Sequence, residues 1–411
     1  MITSISLKNF KSIKEADLKL GPFNLFIGTN ASGKSNFFDA LRFLQGIGWG
    51  LSIDEILNGR PRTGTGSEWD GVRGGSGFLQ WNDPTADAKR ANPVWVEATI
   101  KPSSESKYAP TYRYGIGINT ARNSVRGEFL GAGWRGDWDS REVDNELSSP
   151  VLTVRYQARG RGKKPHYDFG KHRPIIQQTQ RNLRFAPSDR AKAQAVLTSL
   201  RNTQRIDPQP SILRQYATAL EVERMGEHGE NFPALIQQIC ADDVRKEGYL
   251  GWLRELRPSE VDDITVLPGA LKEPLFALIE KGRTFPAPVL SDGTLRFAAI
   301  AAAFFQPSMP EVLMLEEIEN GVHAGRLRLL LELLKSRAGA SQTQVLATSH
   351  SALMLDWLSE EDYQYVFLCS REPETGVTTI TPLTEVPHFL ESVKTTPASQ
   401  LISEGWMETA L

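Results

Sequence analysis

Short apolar stretches separated by polar turns dominate the start of the chain. β-Branched residues favour an opening strand at Ile2–Leu7, and a second strand is predicted over 16–20. Phe23–Ile27 is short and apolar enough for a buried strand. Beyond residue 34, apolar residues recur at helical spacing as far as Leu44. The pattern predicts three strands followed by a helix.

Strand patterns and then helical patterns fill the middle of the chain. Apolar and polar residues alternate in several segments, which is typical of an antiparallel sheet with one face in water. These segments are 94–100, 112–118, 124–130 and 152–157. Residues 176–284 are predicted to be mostly helical, with helices over 177–184, 190–201, 232–240 and 249–256. The glycine-rich stretch from Asn58 to Gly77 is predicted to be a long exposed loop.

Three stretches in the last third of the chain place polar residues at the ends of apolar elements. Val312–Leu315 predicts a buried strand ending at Glu316-Glu317, and 344–348 predicts another ending near His350. Leu290–Arg296 precedes an apolar helical run. Ligands of α/β sheets lie at strand ends, so these positions are candidates for chemistry.

Composition narrows the class of protein. The chain has 411 residues, of which 40% are hydrophobic and 23% charged, as in ordinary globular proteins. The net charge of −2 means that nucleic acid would have to meet a local basic patch. Cys240 and Cys369 form neither a disulfide framework nor a metal site. No apolar run is long enough to span a bilayer, and we expect a cytoplasmic protein.

The segment Gly28–Ser35 fits G-x-x-x-x-G-K-[ST], the loop that wraps nucleotide phosphates. It lies between a predicted strand and a helix N-terminus, where amides and the helix dipole receive negative charge. Lys34 would reach the β- and γ-phosphates of ATP, and the Ser35 hydroxyl would bind Mg²⁺. A glycine-rich turn with a surface lysine is the alternative, which both flanks disfavour. Lys11 is either a second phosphate contact or a solvated lysine.

The polar residues of the last third suit the other half of an ATPase site. Glu316 would hold the Mg²⁺ shell, and Glu317, pointing the other way, would polarise a water. His350 would bind the γ-phosphate, although a lone histidine at a strand end is more often structural. Ser291 is an N-cap residue and Gly293 lets amides approach an anion, although an ordinary capped helix has the same pattern.

Basic and aromatic residues alternate between Arg155 and Arg173, with one acid among them. Such a pattern is typical of binding to a phosphate backbone, and a solvated loop is an equal alternative. The nucleic-acid candidates within it are Arg159, Arg161, Lys163 and Lys164.

The order of these motifs resembles the ABC-type ATPases of the RecF, SMC and OLD group. The opening residues 5–12 are similar to that group's first strand and turn, and Gly226–Phe232 resembles a glycine-asparagine element of its single-chain members. The resemblance covers residues 1–45 and 225–405. It implies an α/β ABC-type P-loop ATPase head with a mixed sheet, an antiparallel β subdomain and a helical lobe. The expected segments are 1–175, with Walker A; 176–284, a helical insert; and 285–411, with signature and Walker B.

The resemblance also implies roles for particular residues. ATP would be bound by Walker A and by the signature of the opposite subunit. Those residues are Gly28, Asn30, Gly33, Lys34, Ser35, Ser291 and Gly293. Ser35 and Glu316 would hold Mg²⁺, Glu317 would be the catalytic base, and His350 the switch histidine. A Q-loop glutamine is expected, with Gln157 and Gln177 as candidates, and Ile318 stands where the family usually has proline.

The function implied by analogy is an ATPase that closes as a homodimer or higher even oligomer around ATP. Stand-alone ATPases of this build resemble components of antiphage systems, so we expect a separate effector, often a nuclease, to be gated by this one. A RecF-like DNA clamp is the alternative. A nuclease in its own right is a further alternative, for which the sequence shows no histidine-rich metal cluster outside the ATPase motifs.

Overall fold

The computed structural model describes residues 1–61, 67–81, 93–102, 110–132, 135–140, 149–156, 165–257, 260–340 and 343–403. The chain divides into two compact units, each assembled from separate stretches of sequence. Unit 1 comprises Met1–Gly21, Gly28–Thr203 and Leu368–Pro382, and unit 2 comprises Pro22–Ile27, Gln204–Phe367 and Leu383–Leu411. These units do not coincide with the three contiguous segments expected from the sequence.

The strands follow the chain in this order: β1 Ile2–Phe10, β2 Ile13–Lys19, β3 Phe23–Ile27, β4 Arg60–Pro61, β5 Ser67–Trp69, β6 Val94–Ile100, β7 Tyr112–Asn119, β8 Ser124–Ala132, β9 Arg135–Asp139, β10 Val151–Tyr156, β11 His166–Gly170, β12 Thr203–Ile206, β13 Val261–Pro268, β14 Pro274–Glu280, β15 Arg283–Pro286, β16 Val312–Leu315, β17 Gln344–Ser349, β18 Val366–Arg371 and β19 Thr378–Pro382.

The α-helices are α1 Lys34–Gly48, α2 Ile53–Asn58, α3 Ile175–Arg181, α4 Pro187–Arg201, α5 Pro210–Leu213, α6 Phe232–Cys240, α7 Asp243–Leu256, α8 Asp292–Ala302, α9 Ala324–Ala340, α10 Phe389–Ser392 and α11 Ala398–Ser403. Among the described residues, no helix is both long and apolar enough to cross a membrane.

Unit 1 is built on a sheet with the strand order β11-β10-β9-β8-β7-β6-β1-β2-β19. All neighbours are antiparallel except β2 and β19, which are parallel. Along β6, alternate residues are fully buried and those between them are partly exposed, as the alternating sequence pattern predicts. The antiparallel sheet expected from the sequence is confirmed.

Helix α1 is buried on nearly every side, which is typical of a helix in the centre of a core. It packs against α4, and the two backbones come close at Gly48. A Cβ at Gly48 would lie 2.3 Å from the amide nitrogen of Arg201, so only glycine permits this approach. The helix that begins at Lys34 is therefore fixed at its far end by close packing.

Unit 2 contains the parallel strands β3, β17 and β16, in that order, with β12 beside β16. All residues of β3, β16 and β17 are buried, as expected for a parallel sheet covered on both faces. Ile27 is in register with Ser349, and Leu315 is in register with Ala347. The carboxyl ends of these strands therefore lie at one edge.

The expectation of an exposed loop over 58–77 is wrong, and the expected helical insert contains strands as well as helices. The stretch from Asn58 to Gly77 is not simply an exposed loop, because β4 pairs with β5 and Trp69 and Val72 are buried. The segment 176–284 is not simply a helical insert, because β13, β14 and β15 form an antiparallel sheet there. The helices α3, α4, α6 and α7 confirm the helical predictions, with ends shifted by a few residues.

A carboxyl group is buried in the core of unit 1. Glu128 on β8 is fully buried and accepts hydrogen bonds from the Tyr114 hydroxyl, at 2.9 Å, and from the amides of Ile175 and Ile176, at 2.6 and 2.9 Å. Burial raises the pKa of Glu128 from 4.5 to about 7, although the three hydrogen bonds lower it. Glu128 ties the start of α3 to the sheet.

Replacing Glu128 tests this buried carboxyl. Because its folded-state pKa is raised, the folded protein binds the extra proton between pH 4.5 and about 7, and the free energy of unfolding falls as pH rises through that window. We expect E128Q to flatten the dependence of the urea midpoint on pH there. Partly exposed Glu97, ion-paired with Arg113, offers E97Q as the control. Equal pH slopes in wild type and E128Q would contradict the assignment.

Candidate functional site

The loop that follows β3 in the chain has the backbone of an anion-binding loop. Ala31 and Gly33 have φ values of +64° and +101°, in the left-handed region. Such residues turn successive amides to one side, forming a concave nest for negative charge. A Cβ at Gly33 would lie 2.2 Å from the Thr378 hydroxyl, so glycine is required there. The sequence-predicted P-loop therefore has the conformation that phosphate binding needs.

Two side chains of the loop fit a phosphate ligand. The Lys34 ammonium donates hydrogen bonds to the carbonyls of Gly28 and Thr29, at 2.7 and 2.8 Å, and is thereby held over the loop. The Ser32 hydroxyl is buried and has no hydrogen-bond partner among the described residues. Asn30 is exposed at the tip of the loop. Ser35 is partly buried in the first turn of α1.

A charged cluster beside the loop was missed by the sequence analysis. Asp39 of α1 is almost fully buried and forms ion pairs with Lys11 and Arg73. Arg73 also donates to the Ser35 carbonyl, at 2.7 Å. Lys11 is thus directed to Asp39, and its binding to a phosphate stays a prediction. No local motif marks Arg73, because its partners on α1 are more than thirty residues away.

In unit 2, the two predicted acids follow β16 and differ in surroundings. Glu316 is buried, and one of its oxygens lies 3.0 Å from the Arg205 Nε atom. Arg205 also pairs with Glu227, at 2.7 Å, and is itself only 12% exposed. A guanidinium between two carboxylates offsets the cost of burying each charge. Sequence analysis missed Arg205, which lies more than a hundred residues before Glu316.

Glu317 is more exposed and is held by several groups. Its φ of +47° is left-handed, a conformation that costs a non-glycine residue about 1–2 kcal/mol. Its amide donates to the Thr348 hydroxyl, at 2.9 Å, and its carboxylate accepts from Asn320. The His350 Nε2 atom lies 3.1 Å from the other carboxylate oxygen. The structure therefore brings the predicted base and the predicted switch histidine into contact.

The segment after Glu317 closes around the end of β17. Glu319 accepts a hydrogen bond from the His350 amide, and the Ile318 amide donates to the Thr348 carbonyl, at 3.1 Å. Ile318 is fully buried, so an apolar residue fills the place where the family usually has proline. No group of three or more His, Cys, Asp or Glu side chains suited to a metal ion occurs within the described ranges.

The predicted signature begins helix α8. The Ser291 hydroxyl accepts from the Thr294 amide, at 3.3 Å, which confirms Ser291 as the N-cap. Ser291 and Asp292 are exposed, whereas Gly293 packs against a loop. A Cβ at Gly293 would lie 2.2 Å from the Gly321 carbonyl oxygen. Glycine at this position is thus required by packing within unit 2 as well as suited to an anion.

The glycine-asparagine element is a closed loop. The Asn231 side chain accepts from the Gly226 amide, at 2.7 Å, and donates to the Arg224 carbonyl, at 2.9 Å. Gly229 has a φ of +85°. The element includes Glu227, so its structural role is to present that carboxylate to Arg205.

The Q-loop candidates are not both tested by the structure. Gln177 donates to the carbonyls of Ile47 and Leu51, both at 3.0 Å. At 1.5 Å per residue, Ile47 is about 20 Å along α1 from Lys34. Gln177 therefore caps the far end of α1, and the Q-loop prediction for it is wrong. Gln157 lies outside the described residues, together with Arg159, Arg161, Lys163 and Lys164.

Comparisons with known proteins agree with this geometry. The profile of a family described as "AAA domain, putative AbiEii toxin, Type IV TA system" matches residues 253–356, and one described as "AAA ATPase domain" matches residues 1–47. The DNA replication and repair protein RecF of Streptococcus agalactiae serotype Ia is 48% identical over 44 residues. That match covers 10% of this chain and only 12% of RecF.

Solved structures cover far more of the chain. The SmcHead bound to the C-winged helix domain of ScpA is 12% identical, covers 92% of this chain and 97% of its own, and has a TM-score of 0.53. The chain therefore has the fold of an SMC head, and AAA profiles match two parts of its sequence. The SMC head domain from Thermotoga maritima is 15% identical, over 93% of this chain and 98% of its own, with a TM-score of 0.42. The profile matches and the SmcHead structure confirm the resemblance to RecF and SMC proteins and the predicted α/β head fold.

The buried ion pairs of Arg205 are predicted to contribute to the stability of this SMC-head fold. Replacement by methionine leaves the Glu316 carboxylate buried without its guanidinium, which we expect to lower the free energy of unfolding by about 3 kcal/mol. The measurement is urea denaturation of R205M and wild type. R328M, which removes an exposed ion pair with Glu332, is the control and should change stability by less than about 0.5 kcal/mol. Equal losses in both variants would refute the role of burial.

Proposed function

We propose that this chain is an ATPase that binds and hydrolyses ATP and is completed by a second copy of itself. The observation that carries the proposal is the P-loop, whose left-handed residues and Lys34 form a nest ready for phosphates. The matching AAA ATPase profiles, at residues 1–47 and 253–356, support the same reaction class.

In the proposed reaction, Walker A binds the phosphates of ATP. Lys34 would exchange its two loop carbonyls for phosphate oxygens, and the Ser32 hydroxyl would gain a partner. Mg²⁺, which neutralises charge on the β- and γ-phosphates, would be held by the Ser35 hydroxyl and Glu316, oxygen donors of the kind it prefers. Glu316 is also paired with Arg205, so its share in metal binding depends on that guanidinium.

Glu317 is the proposed general base. Its carboxylate is partly exposed and is oriented by His350 and Asn320, so a water beside it would lose a proton to a fixed oxygen. His350 contacts the base directly, which suits a residue that responds to the γ-phosphate. The carboxylate of Glu316 is shielded by Arg205, which favours Glu317 over Glu316 for this role.

The proposed assembly is a head-to-tail homodimer or a higher even oligomer. Ser291 and Asp292, at the start of α8, are exposed at the surface of unit 2 and would contact ATP held by the partner. Loss of the γ-phosphate would then weaken the interface. We further propose that the dimer gates a separate effector in antiphage defence. The profile that names a toxin of a toxin–antitoxin system supports this role.

Replacing Glu317 tests the proposed reaction. We expect E317Q to bind ATP with wild-type affinity, to lower turnover at least about a hundredfold, and to accumulate as an ATP-bound dimer, because the base acts only in the chemical step. The measurements are phosphate release, equilibrium ATP binding, and mass in solution by light scattering.

Two variants control that experiment. K34A should lose ATP binding, whereas E332Q, at an exposed acid on α9, should leave turnover unchanged. Wild-type turnover in E317Q would contradict the assignment of the base. A wild-type chain that binds no ATP would contradict the proposed function as a whole.

A RecF-like DNA clamp is the second candidate, and a basic cavity in unit 1 favours it. The cavity has a volume of about 530 Å³ and is lined by Trp49, Arg173, Arg181 and Arg201, together with glutamines. None of the described residues that line it is acidic. Arginines beside an exposed tryptophan suit phosphates and stacked bases. Arg173 also belongs to the basic segment recognised in the sequence.

DNA binding separates the two candidates. If the clamp function is correct, binding of duplex DNA in the presence of ATP should weaken steeply with salt. The double variant R181A/R201A, and the fourfold change of Arg159, Arg161, Lys163 and Lys164 to alanine, should reduce that salt slope by about 0.9 for each phosphate that the variant no longer neutralises. Fluorescence anisotropy at several salt concentrations measures this. No binding by wild type would refute the clamp function.

A further inference from the structure

Arg296 is a buried cation that contacts the backbone of both predicted acids. It lies on α8, five residues after Ser291, and its side chain is only 5% exposed. One terminal nitrogen donates to the carbonyls of Glu316 and Glu317, at 3.0 and 3.1 Å. Its guanidinium also contacts the Asp207 carboxylate, at 3.1 Å, and the Pro208 carbonyl, at 2.8 Å. Nothing in the local sequence connects α8 with the two acids.

The convergence of two successive carbonyls on one nitrogen depends on the backbone of Glu317. In an extended strand, successive carbonyls point in opposite directions. The φ of Glu317, +47°, is left-handed and turns the Glu317 carbonyl towards Arg296. The Arg296 guanidinium therefore donates hydrogen bonds to both the Glu316 and the Glu317 carbonyl. Arg296 therefore stabilises a strained backbone at the residue proposed as the catalytic base.

A second contact links α8 to the same loop. Gly293, in the first turn of α8, packs so closely against the Gly321 carbonyl that a Cβ would clash with it. Gly321 is four residues beyond Glu317 and has a φ of +70°. Helix α8 thus contacts the loop of the acids on both sides of Glu317, at 316–317 through Arg296 and at 321 through Gly293.

We propose that Arg296 is a positioning residue for catalysis: it holds Glu317 in the left-handed conformation that aims the carboxylate at the attacking water. The inference rests on the proposed ATPase function. It adds a consequence, because α8 also carries Ser291, the proposed contact to the partner's ATP. Helix α8 therefore connects the contact with the partner's ATP to Glu317 of its own subunit. ATP bound by one copy would thus affect the position of Glu317 in the other copy.

Arg224 provides a matched comparison within unit 2. It also donates to two successive carbonyls, those of Ser308 and Met309, at 3.0 and 3.2 Å. Its contacts include neither Glu316 nor Glu317 among the described hydrogen bonds. A lysine in place of either arginine keeps the charge but loses the forked geometry that reaches several oxygens at once. The two lysine variants therefore differ in location rather than in chemistry.

The test compares R296K and R224K with wild type in the full-length protein. For R296K we expect the kcat of ATP hydrolysis to fall at least about tenfold while equilibrium ATP binding changes less than about threefold, because only the geometry of the base is altered. For R224K we expect both quantities within about threefold of wild type. The double variant R296K/E317Q should be no slower than E317Q alone, since Arg296 acts through Glu317.

Amide hydrogen exchange gives a readout that does not depend on activity. Peptides covering residues 312–323 should exchange faster in R296K than in wild type, and those peptides should be unchanged in R224K.

Unchanged exchange and unchanged kcat in R296K would overturn the inference, as would parallel losses of ATP binding and melting temperature in both variants. If R296K is poorly folded, D207N offers a second test, because it removes the carboxylate charge that pairs with Arg296. D207N should show the same exchange pattern. Wild-type protein without ATP turnover would refute the proposed function, whereas the exchange result would still decide the role of Arg296.

Discussion

Backbone hydrogen bonding between three buried parallel strands positions the candidate site residues of unit 2. Strands β3, β17 and β16 are buried on both faces, so a slip of one residue in their register would turn every side chain to the opposite face. Their register places the ends of β16 and β17 side by side. Glu316-Glu317 and His350 follow these ends directly, which is why His350 contacts Glu317. The P-loop follows β3 in the chain.

The sheet edge alone does not orient the acids, because their conformations depend on two buried arginines. Arg205 offsets the buried charge of Glu316, and Arg296 donates hydrogen bonds to the carbonyls of Glu316 and Glu317. A guanidinium suits both positions, because its planar fork donates several hydrogen bonds at once and it keeps its charge when buried. The strain at Glu317 persists because Arg296 and Thr348 hold its backbone and Asn320 holds its carboxylate.

This arrangement gives a physical reason why assembly and hydrolysis would be coupled in an SMC-head fold. The start of α8 is exposed, whereas Arg296, just over one turn later, is buried against the acids. A helix with one end at the surface and one face on the proposed base would transmit contact with the proposed second copy without any large motion. Arg73 and Asp39 give the P-loop a comparable support in unit 1, through the Ser35 carbonyl.

The sequence by itself determined the features that depend on neighbours along the chain. The apolar runs of β3, β16 and β17, the P-loop between β3 and α1 in the chain, the N-cap at Ser291 and the acids after β16 are all local, and the structure contains them as predicted. The tertiary structure decided which side chains meet. The sequence does not show the contacts of three arginines, Arg205, Arg296 and Arg73, because their partners are distant along the chain. Gln177 contacts the end of α1 that is far from the P-loop, where a Q-loop glutamine would not lie. Strands β13–β15 pair where a helical insert was predicted. Burial creates these differences, because a guanidinium finds its distant partners, and strands such as β13–β15 pair, only once the folded chain has excluded water.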